Sequence, residues 1–199
     1  MSRLELVHLT SPAEIRRNAA AWDALWTRSD LSSSLFRAEM VAQWVEQFAP
    51  SAAIHALAVF REDQMLAALP LVQRRAAPLL TIGDLTINCW SPNGELLVAP
   101  GPDAEPALDA LAAGLDQLPW PLLQLPWVPY AEPRWQMFVQ ALTRHGSHYC
   151  IDPRYEIGQV DVRQTFADYE ATWSRNHRRN VRKDLRKLQG SGPLRLHLH

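Results

Sequence analysis

The stretch from Tyr169 to Leu188 reads YEATWSRNHRRNVRKDLRKL, and it divides cleanly when it is placed on a helix. Its apolar residues fall on one face at helical spacing, namely Tyr169, Trp173, Val181, Leu185 and Leu188. Its basic residues form two rows outside that face, Arg175/Arg179/Lys183/Lys187 and Arg178/Arg182/Arg186. The pattern predicts one amphipathic helix that packs through its apolar half, with Trp173 in the core, and presents a cationic half.

Both ends of this helix carry termination signals. Thr165 with Asp168 three residues later resembles a capping box at the start. Gly190 suits a left-handed cap at the end, and Pro193 prevents the helix from continuing. We therefore expect one helix that begins after Thr165 and ends at Gly190.

The charge of this helix differs from that of the rest of the chain. Of the 20 Lys and Arg residues, seven lie between Arg175 and Lys187, together with one acid, Asp184. The remaining 13 basic residues are outnumbered by 20 acidic ones. Like charges at i, i+4 repel by a few tenths of a kcal/mol per pair. The helix face is either simply solvated or binds an anion, and the lack of interleaved Glu leaves both interpretations open.

Composition limits the classes of protein to which the chain can belong. It has 199 residues, 47% hydrophobic and 21% charged, with a formal net charge of −1, as globular domains do. Near-neutral net charge argues against a dedicated nucleic-acid-binding protein, since the basic patch is local. No apolar run reaches the roughly 18 residues of a membrane span, and the N-terminus lacks a signal-peptide core. Cys89 and Cys150 give neither a disulfide framework nor a metal pattern, which favours a cytoplasmic location.

Hydrophobic periodicity predicts the helices and strands of the remaining chain. Helices are predicted at residues 12–28, 37–48, 105–118 and 133–145, the last of them ending at Gly146. Strands are predicted at residues 4–9, 55–60, 65–72, 79–82, 85–87, 95–98, 122–125, 148–151, 155–162 and 194–199. Pro70 predicts an edge position or a bulge for its strand. The order indicates an α/β (α+β) domain followed by the β-α-β opening of another. Because the last strand alternates up to His199, we expect the natural sequence to continue.

Three stretches resemble one known family. Residues 173–183 resemble the R-x-N-hydrophobic-R-R helix of the GNAT-type acetyltransferases associated with cellulose and exopolysaccharide biosynthesis, which are related to the Fem-type peptidoglycan aminoacyltransferases. Residues 67–75 resemble that family's P-L-hydrophobic-x-R-R strand, and residues 35–48 resemble its early helix. The resemblance spans most of the chain.

The resemblance implies a fold and a reaction. The implied fold is a mixed, mainly antiparallel sheet flanked by helices at residues 1–158, with the start of a second GNAT-like domain at 159–199. The implied enzyme is an N-acyltransferase that uses acetyl-CoA or another acyl-CoA, needs no metal, and acts on an amine of an envelope or exopolysaccharide precursor. Association with the envelope-biosynthesis machinery would follow.

One expected motif does not occur. GNAT enzymes place the acyl-CoA pyrophosphate on a loop of the form Q/R-x-x-G-x-G/A, where backbone N–H groups favour the anion. No stretch matches it, since the one G-x-G sequence, Gly190-Ser191-Gly192, is explained by the helix end. We therefore expect the main donor site to lie outside these residues, and the chain alone to be catalytically incomplete.

Two groups of residues are candidates for binding. Phosphates of the donor or acceptor are expected at the basic helix, on Arg175, Arg178, Arg179, Arg182 and Lys183. The acceptor is expected at loops that follow strands, on Asn88, Trp90, Asn93 and Tyr130. The same loop residues are also typical of ordinary turns, Asn93-Gly94 above all.

No residue is singled out as the catalytic base or as a metal ligand. Asp23, Asp84 and Glu95 are possible acid/base groups. His145 and His148 lack the two further ligands that a zinc site needs.

Two other functions fit the same basic helix. A Fem-type transferase would use aminoacyl-tRNA as donor, so the helix would meet nucleic acid. A non-catalytic GNAT-like scaffold would bind RNA or anionic lipid through it. A phosphate-rich ligand is common to all these functions.

Overall fold

The computed structural model describes residues 3–91, 94–154, 163–190 and 192. The chain divides into two compact units, Met1–Cys150 and Ile151–His199. The strands expected at 155–162 and 194–199 lie outside the described residues, and so does the expected domain boundary after residue 158. These three remain predictions.

The described part of the first unit is built on one mixed sheet. Its strands are β1 (Leu4–Leu9), β2 (Ile54–Arg61), β3 (Gln64–Ala77), β4 (Leu80–Leu85), β5 (Leu97–Val98) and β6 (Leu123–Gln124). The order is β1-β2-β3-β4-β6, and β5 also pairs with β3. Among these strands β4 and β6 run parallel, whereas the other pairs are antiparallel. The predicted fold class, a mainly antiparallel sheet flanked by helices, is confirmed.

Helices cover both faces of this sheet. They are α1 (Pro12–Arg17), α2 (Ala19–Arg28), α3 (Ala38–Phe48), α4 (Ala104–Leu115) and α5 (Pro133–His145). On one face, α4 and α5 contribute buried residues such as Leu108 and Phe138 to a core that includes Leu69. On the other face, α1 to α3 bury residues such as Trp22 and Val41. The sheet therefore has a hydrophobic core on each side.

Pro70 lies inside the sheet, so the predicted edge position is wrong. The N–H of Gln73 donates to the carbonyl of Ala53, beside β2, at 2.8 Å. Because successive residues of a strand point their backbone N–H groups to opposite sides, the backbone nitrogen of Pro70, three residues earlier, lies on the side away from β2. On that other side β5 pairs with residues 67–68 and β4 with residues 71–77. Pro70 falls in the gap between them, where its missing N–H costs no ladder bond. The strand does carry a bulge, but at Leu66, opposite Val59 and Phe60.

Other elements of the first unit also differ from the prediction. The strands expected at 79–82 and 85–87 form one strand, β4, and the strand expected at 95–98 is reduced to β5. The helix expected at 12–28 is interrupted at Asn18, whose side-chain amide donates to the Glu14 carbonyl at 2.9 Å and so competes with the helical bond. The buried strand expected at 122–125 is reduced to β6, and Leu122 is exposed, because prolines at 119, 121 and 126 restrict the pairing. No strand forms at residues 148–151, since Ser147 donates to the Leu142 carbonyl to close α5 instead.

The described residues of the second unit form two helices where the sequence predicted one. They are α6 (Phe166–Thr172) and α7 (Arg175–Gly190), separated by Trp173 in an extended conformation. Thr165 caps α6 as predicted, because its Oγ1 accepts from the Asp168 N–H. Ser174 caps α7 in the same way, accepting from the N–H of His177 at 3.2 Å. Gly190 belongs to α7 itself, so the predicted left-handed cap at this residue is wrong.

Candidate functional site

Two loops of the first unit meet at one edge of its sheet. Because β4 and β6 are parallel, their carboxyl ends lie at the same edge, where α/β proteins often bind ligands. The chain leaves β4 in an excursion over residues 86–96 before β5, and β6 is followed by a loop over residues 125–132. The N–H of Gly94 donates to the Trp127 carbonyl at 3.4 Å and joins the two loops. A Cβ at Gly94 would lie 2.8 Å from the Pro126 carbonyl oxygen, so glycine is required at this close approach.

The predicted acceptor-binding residues separate into structural and exposed ones. Asn88 accepts from the N–H groups of Trp90 and Ser91 at 2.8 and 2.9 Å, so its carbonyl oxygen is used in the turn. Trp90 is 82% exposed and Tyr130 is 38% exposed on the adjacent loop. Asn93 lies outside the described residues. The edge therefore offers aromatic side chains, while Asn88 mainly shapes the loop.

Trp127 is a residue that the sequence analysis missed. It is 45% exposed and has φ of +56°, in the left-handed region that bulky residues seldom occupy. Its carbonyl is the acceptor that holds Gly94. The sequence carries no signal for such a backbone conformation, because a tryptophan in a loop is compatible with many of them. Trp127 joins Trp90 and Tyr130 as an exposed aromatic residue at this edge.

Glu95 has a structural role that leaves no room for acid/base chemistry. Its side chain is almost fully buried and accepts from Arg134 Nε and Nη2 at 2.7 Å each, and from Trp135 Nε1 at 3.0 Å. It also accepts from the N–H of Leu96. These bonds fasten the excursion to the start of α5. The return of the loop is therefore anchored at Glu95.

The other two candidate carboxylates are also paired with arginines. Asp23 accepts from the N–H of Ala38 and from Arg37, so it caps α3. Asp84 is buried beside β6 and accepts from Arg74 and from the N–H of Leu85. Burial raises the pKa of Asp84, although Arg74 acts in the opposite direction.

The N-terminus of α4 is poorly suited to a donor pyrophosphate. It follows the loop at residues 99–103. Asp103 at the cap pairs with Arg61, and Glu105 lies in the first turn. Both carboxylates occupy the positive end of the helix dipole and disfavour a further anion.

The basic residues of α7 are exposed except Arg178, which is half-buried, and they divide into two parts. An open surface region of α7 is lined by Arg179, Asn180, Lys183, Arg186 and Lys187. Of the five predicted phosphate-binding residues, Arg179 and Lys183 line it, whereas Arg175, Arg178 and Arg182 do not. Arg182 donates through Nε and Nη2 to Glu170 Oε1 at 3.1 and 2.9 Å. Arg186 and Lys187 were predicted in the basic rows but were not proposed as ligands.

The apolar half of α7 is less buried than the sequence predicts. Leu185 and Leu188 are 46% and 52% exposed, and no described residue of the second unit is fully buried. Trp173 is half-buried and packs edge-to-face against Phe166, Tyr169 and His177, at centroid distances of 5.9, 5.4 and 4.8 Å. The expectation that Trp173 sits in a core is replaced by a small aromatic cluster across the break between α6 and α7.

Two further kinds of site are absent from the described residues. Within residues 3–91, 94–154, 163–190 and 192, no cluster of three or more His, Cys, Asp or Glu side chains is arranged to hold a metal ion. None of the helices in this part of the chain has the length and apolar character needed to cross a membrane.

Comparison with known proteins gives similarity in structure alone. No protein-family model matches the sequence, and no curated protein matches it. Similar solved structures include the ribosomal-protein-alanine N-acetyltransferase of Brucella melitensis biovar Abortus 2308, with 15% identity over 79% of this chain and 100% of that one, at a TM-score of 0.43. An aminoglycoside acetyltransferase from an uncultured soil metagenomic sample has 8% identity over 78% and 97%, with a TM-score of 0.42. An integron cassette protein from the mobile metagenome of V. cholerae has 13% identity over 87% and 99%, with a TM-score of 0.40.

Proposed function

We propose that the chain is part of an acyl-CoA-dependent N-acyltransferase that acts on an amine of an envelope or exopolysaccharide precursor. The observation that carries the proposal is the exposed cationic face of α7, with seven basic side chains against one acid. Acyl-CoA is a polyanion, and arginine binds phosphates through two parallel hydrogen bonds. The three motifs that resemble the exopolysaccharide-associated acetyltransferases support the choice of reaction.

The proposed reaction needs little from the protein beyond positioning and proton transfer. The amine nitrogen attacks the thioester carbonyl, the C–S bond breaks, and CoA leaves as the thiolate. The proton of the amine passes to a base, and N–H groups stabilise the oxyanion. We assign some of the phosphate contacts of the donor to α7, while the main donor site is expected outside these residues. The base stays unassigned, because Asp23 and Glu95 are fixed in structural pairs.

The acceptor is assigned to the exposed loop edge of the first unit. Trp90, Trp127 and Tyr130 offer aromatic faces, which suit the apolar face of a sugar ring. We place the reaction in the cytoplasm, in association with the envelope-biosynthesis machinery, because an amino-sugar precursor and acyl-CoA would meet there.

Equilibrium titration of the 199-residue chain with acetyl-CoA tests the donor. We expect binding that weakens as salt is added, because exposed charges are screened. Arg179→Gln with Lys183→Gln should weaken binding at least tenfold, since each loses a charge-assisted hydrogen bond. Arg3→Gln with Arg17→Gln removes the same charge from the first unit and should leave binding nearly unchanged. If acetyl-CoA does not bind at millimolar concentration while tRNA does, the aminoacyl-tRNA alternative replaces this function.

A further inference from the structure

The turn between β3 and β4 carries a contiguous apolar surface that the proposed function does not use. Residues 76–80 read Ala-Ala-Pro-Leu-Leu, and all five are exposed. Leu79 is fully exposed, and neither of the cores formed by the described residues includes any of the five. We infer that this tip, defined as residues 76–80, inserts into the interface of an anionic lipid bilayer and docks the first unit on a membrane surface. The inference concerns binding and does not depend on the acyl-CoA reaction.

The tip lies at the end of a two-stranded ribbon. Among the described residues, the last bond from β3 towards β2 is at Gln73, whose N–H donates to the Ala53 carbonyl. On the other side, β6 pairs with β4 at residues 83–84. A strand advances about 13 Å from Gln73 to Ala77. The ribbon therefore carries the tip beyond the paired part of the sheet.

An apolar run of this length is unusual on an exposed turn. Exposed runs of more than three or four apolar residues promote aggregation, and they mark binding surfaces when they occur in folded proteins. No polar side chain interrupts residues 76–80, so the tip offers no polar face. A bilayer interface surrounds an inserted tip with apolar groups, whereas a flat protein surface covers one side of it. The composition of the tip therefore favours a lipid surface.

The backbone of the turn also suits an apolar medium, in which unsatisfied polar groups are costly. Pro78 has no N–H, and its carbonyl accepts from Arg75 Nε and Nη2 at 3.2 and 2.6 Å. Ala77 and Leu80 pair across the turn. Much of the polar backbone at the tip is thus matched within the ribbon before any insertion.

The charge of the ribbon complements an anionic surface. Residues 64–83 contain Arg74 and Arg75 and no acidic residue. Arg74 is paired with Asp84, but no carboxylate of the described residues pairs with Arg75. Arg75 precedes Ala77 by two residues, about 7 Å along the strand. This spacing places its guanidinium at the depth of the lipid phosphates when the tip lies in the interface.

The edges of the ribbon disfavour pairing with a second copy of the chain. β3 carries a second bulge, at Ala76, which follows Arg75 and lies two residues before Pro78. Bulges, charged side chains and proline at an exposed edge all hinder the addition of another strand. A lipid surface needs no such pairing.

Docking at the tip leaves the loop edge of the first unit accessible. β4 begins beside the tip at Leu80 and ends at Leu85, where the excursion at residues 86–96 begins. Six residues of strand span about 17 Å. Membrane contact and the exposed aromatic residues of the loop edge therefore lie at opposite ends of β4.

Co-sedimentation of the 199-residue chain with vesicles of phosphatidylcholine and phosphatidylglycerol tests the inference. Leu79→Gln should weaken partitioning about tenfold, because the burial of one leucine side chain is lost, and should keep the melting temperature of the parent. Leu185→Gln makes the same change at an exposed leucine of α7 and should stay within about twofold of the parent. Arg75→Gln should weaken partitioning about fivefold, whereas Arg3→Gln should stay within about twofold.

A fluorescent probe reports insertion directly. In a chain with Cys89 and Cys150 replaced by Ser, an environment-sensitive nitrobenzoxadiazole dye is attached to Leu79→Cys. We expect its emission to shift to shorter wavelength when vesicles are added and to be quenched by nitroxide-labelled lipids. The control is Asp63→Cys in the exposed turn at the other end of β3, where the dye should show neither change.

Three results would overturn the inference. The first is equal vesicle partitioning of Leu79→Gln and the parent. The second is a dye at residue 79 that stays in water when the chain is bound to vesicles. The third is dimerisation that Leu79→Gln abolishes, in place of vesicle binding, since the occupant of the tip would then be a second copy.

Discussion

At the scale of single residues, the first unit shows how burial changes the role of a carboxylate. Glu95 and Asp84 are both largely withdrawn from water, and each is paired with an arginine. Glu95 accepts four hydrogen bonds, which together satisfy a buried charge. Asp84 accepts fewer, and burial raises its pKa. A sequence pattern reveals neither the burial nor the partners.

Replacing Glu95 should strongly destabilise the first unit. In Glu95→Gln, Arg134 keeps its charge but loses its buried counter-ion, so we expect a loss of about 3 kcal/mol in the free energy of unfolding, measured with urea. Glu132 is the matched control, because its Oε2 lies 3.6 Å from Arg134 Nη1 but its side chain is 49% exposed. Glu132→Gln should cost less than about 0.5 kcal/mol. Equal effects of the two variants would contradict a structural role for Glu95.

His55 should make the stability of the first unit depend on pH. Its ring packs edge-to-face on Trp120 at 5.0 Å, and burial, followed by the nearby His8, lowers its pKa. As the pH falls from about 8 to about 5, the unfolded chain takes up a proton that folded His55 resists, so stability decreases. His55→Leu should flatten this decrease in melting temperature, whereas replacement of the exposed His148 by Gln should not. An unchanged pH profile in His55→Leu would refute the prediction.

The binding residues could be predicted from the sequence only in part. The rows on α7 follow from helical spacing, because a charged residue on a helix needs no distant partner to be exposed. Glu170 is 12 residues from Arg182, and its pairing depends on the turn at Trp173 and Ser174. The left-handed backbone of Trp127 depends on its contact with Gly94. The sequence analysis missed both features because each depends on a residue that lies far away in the sequence.

At the scale of elements, local signals predicted helix ends better than strand lengths. The helix from Pro133 to His145 ends as predicted, because Gly146 adopts φ of +79° and supplies its own cap. Strands β5 and β6 are shorter than predicted, since the length of a strand depends on how far its neighbour follows it. The prediction of one continuous helix was wrong for a third reason. The apolar residues keep helical spacing across the break, but Ser174 caps a second helix after it.

The break between α6 and α7 predicts a local effect of Ser174→Ala. This change removes the acceptor for the N–H of His177 and should destabilise the start of α7 by about 1 kcal/mol. Amide hydrogen exchange should become faster at His177 and unchanged at Asp168. Thr165→Ala should produce the reverse pattern, because Thr165 caps α6. Equal acceleration at both amides in either variant would indicate one continuous helix.

At the scale of the whole molecule, the two units differ in how much of their surface they bury. Both hydrophobic cores consist of residues of the first unit. We therefore expect residues 1–150 to fold alone and to unfold cooperatively in a thermal scan. Residues 151–199 alone should show no cooperative transition, because no described residue there is buried. A first unit that unfolds gradually when isolated would contradict this independence.

The excursion at residues 86–96 has a consequence for how such a chain can diversify. It leaves the sheet beside Pro70 and returns to the same side of β3, so the pairing of β3 is resumed whatever the length of the detour. Doubling the length of a flexible loop costs only about 0.6 kcal/mol in closure entropy. Insertions and deletions in the excursion should thus cost little stability, provided that Gly94 and Glu95 remain to anchor its return. We therefore expect related sequences to differ more in the length and composition of this excursion than in the strands around it.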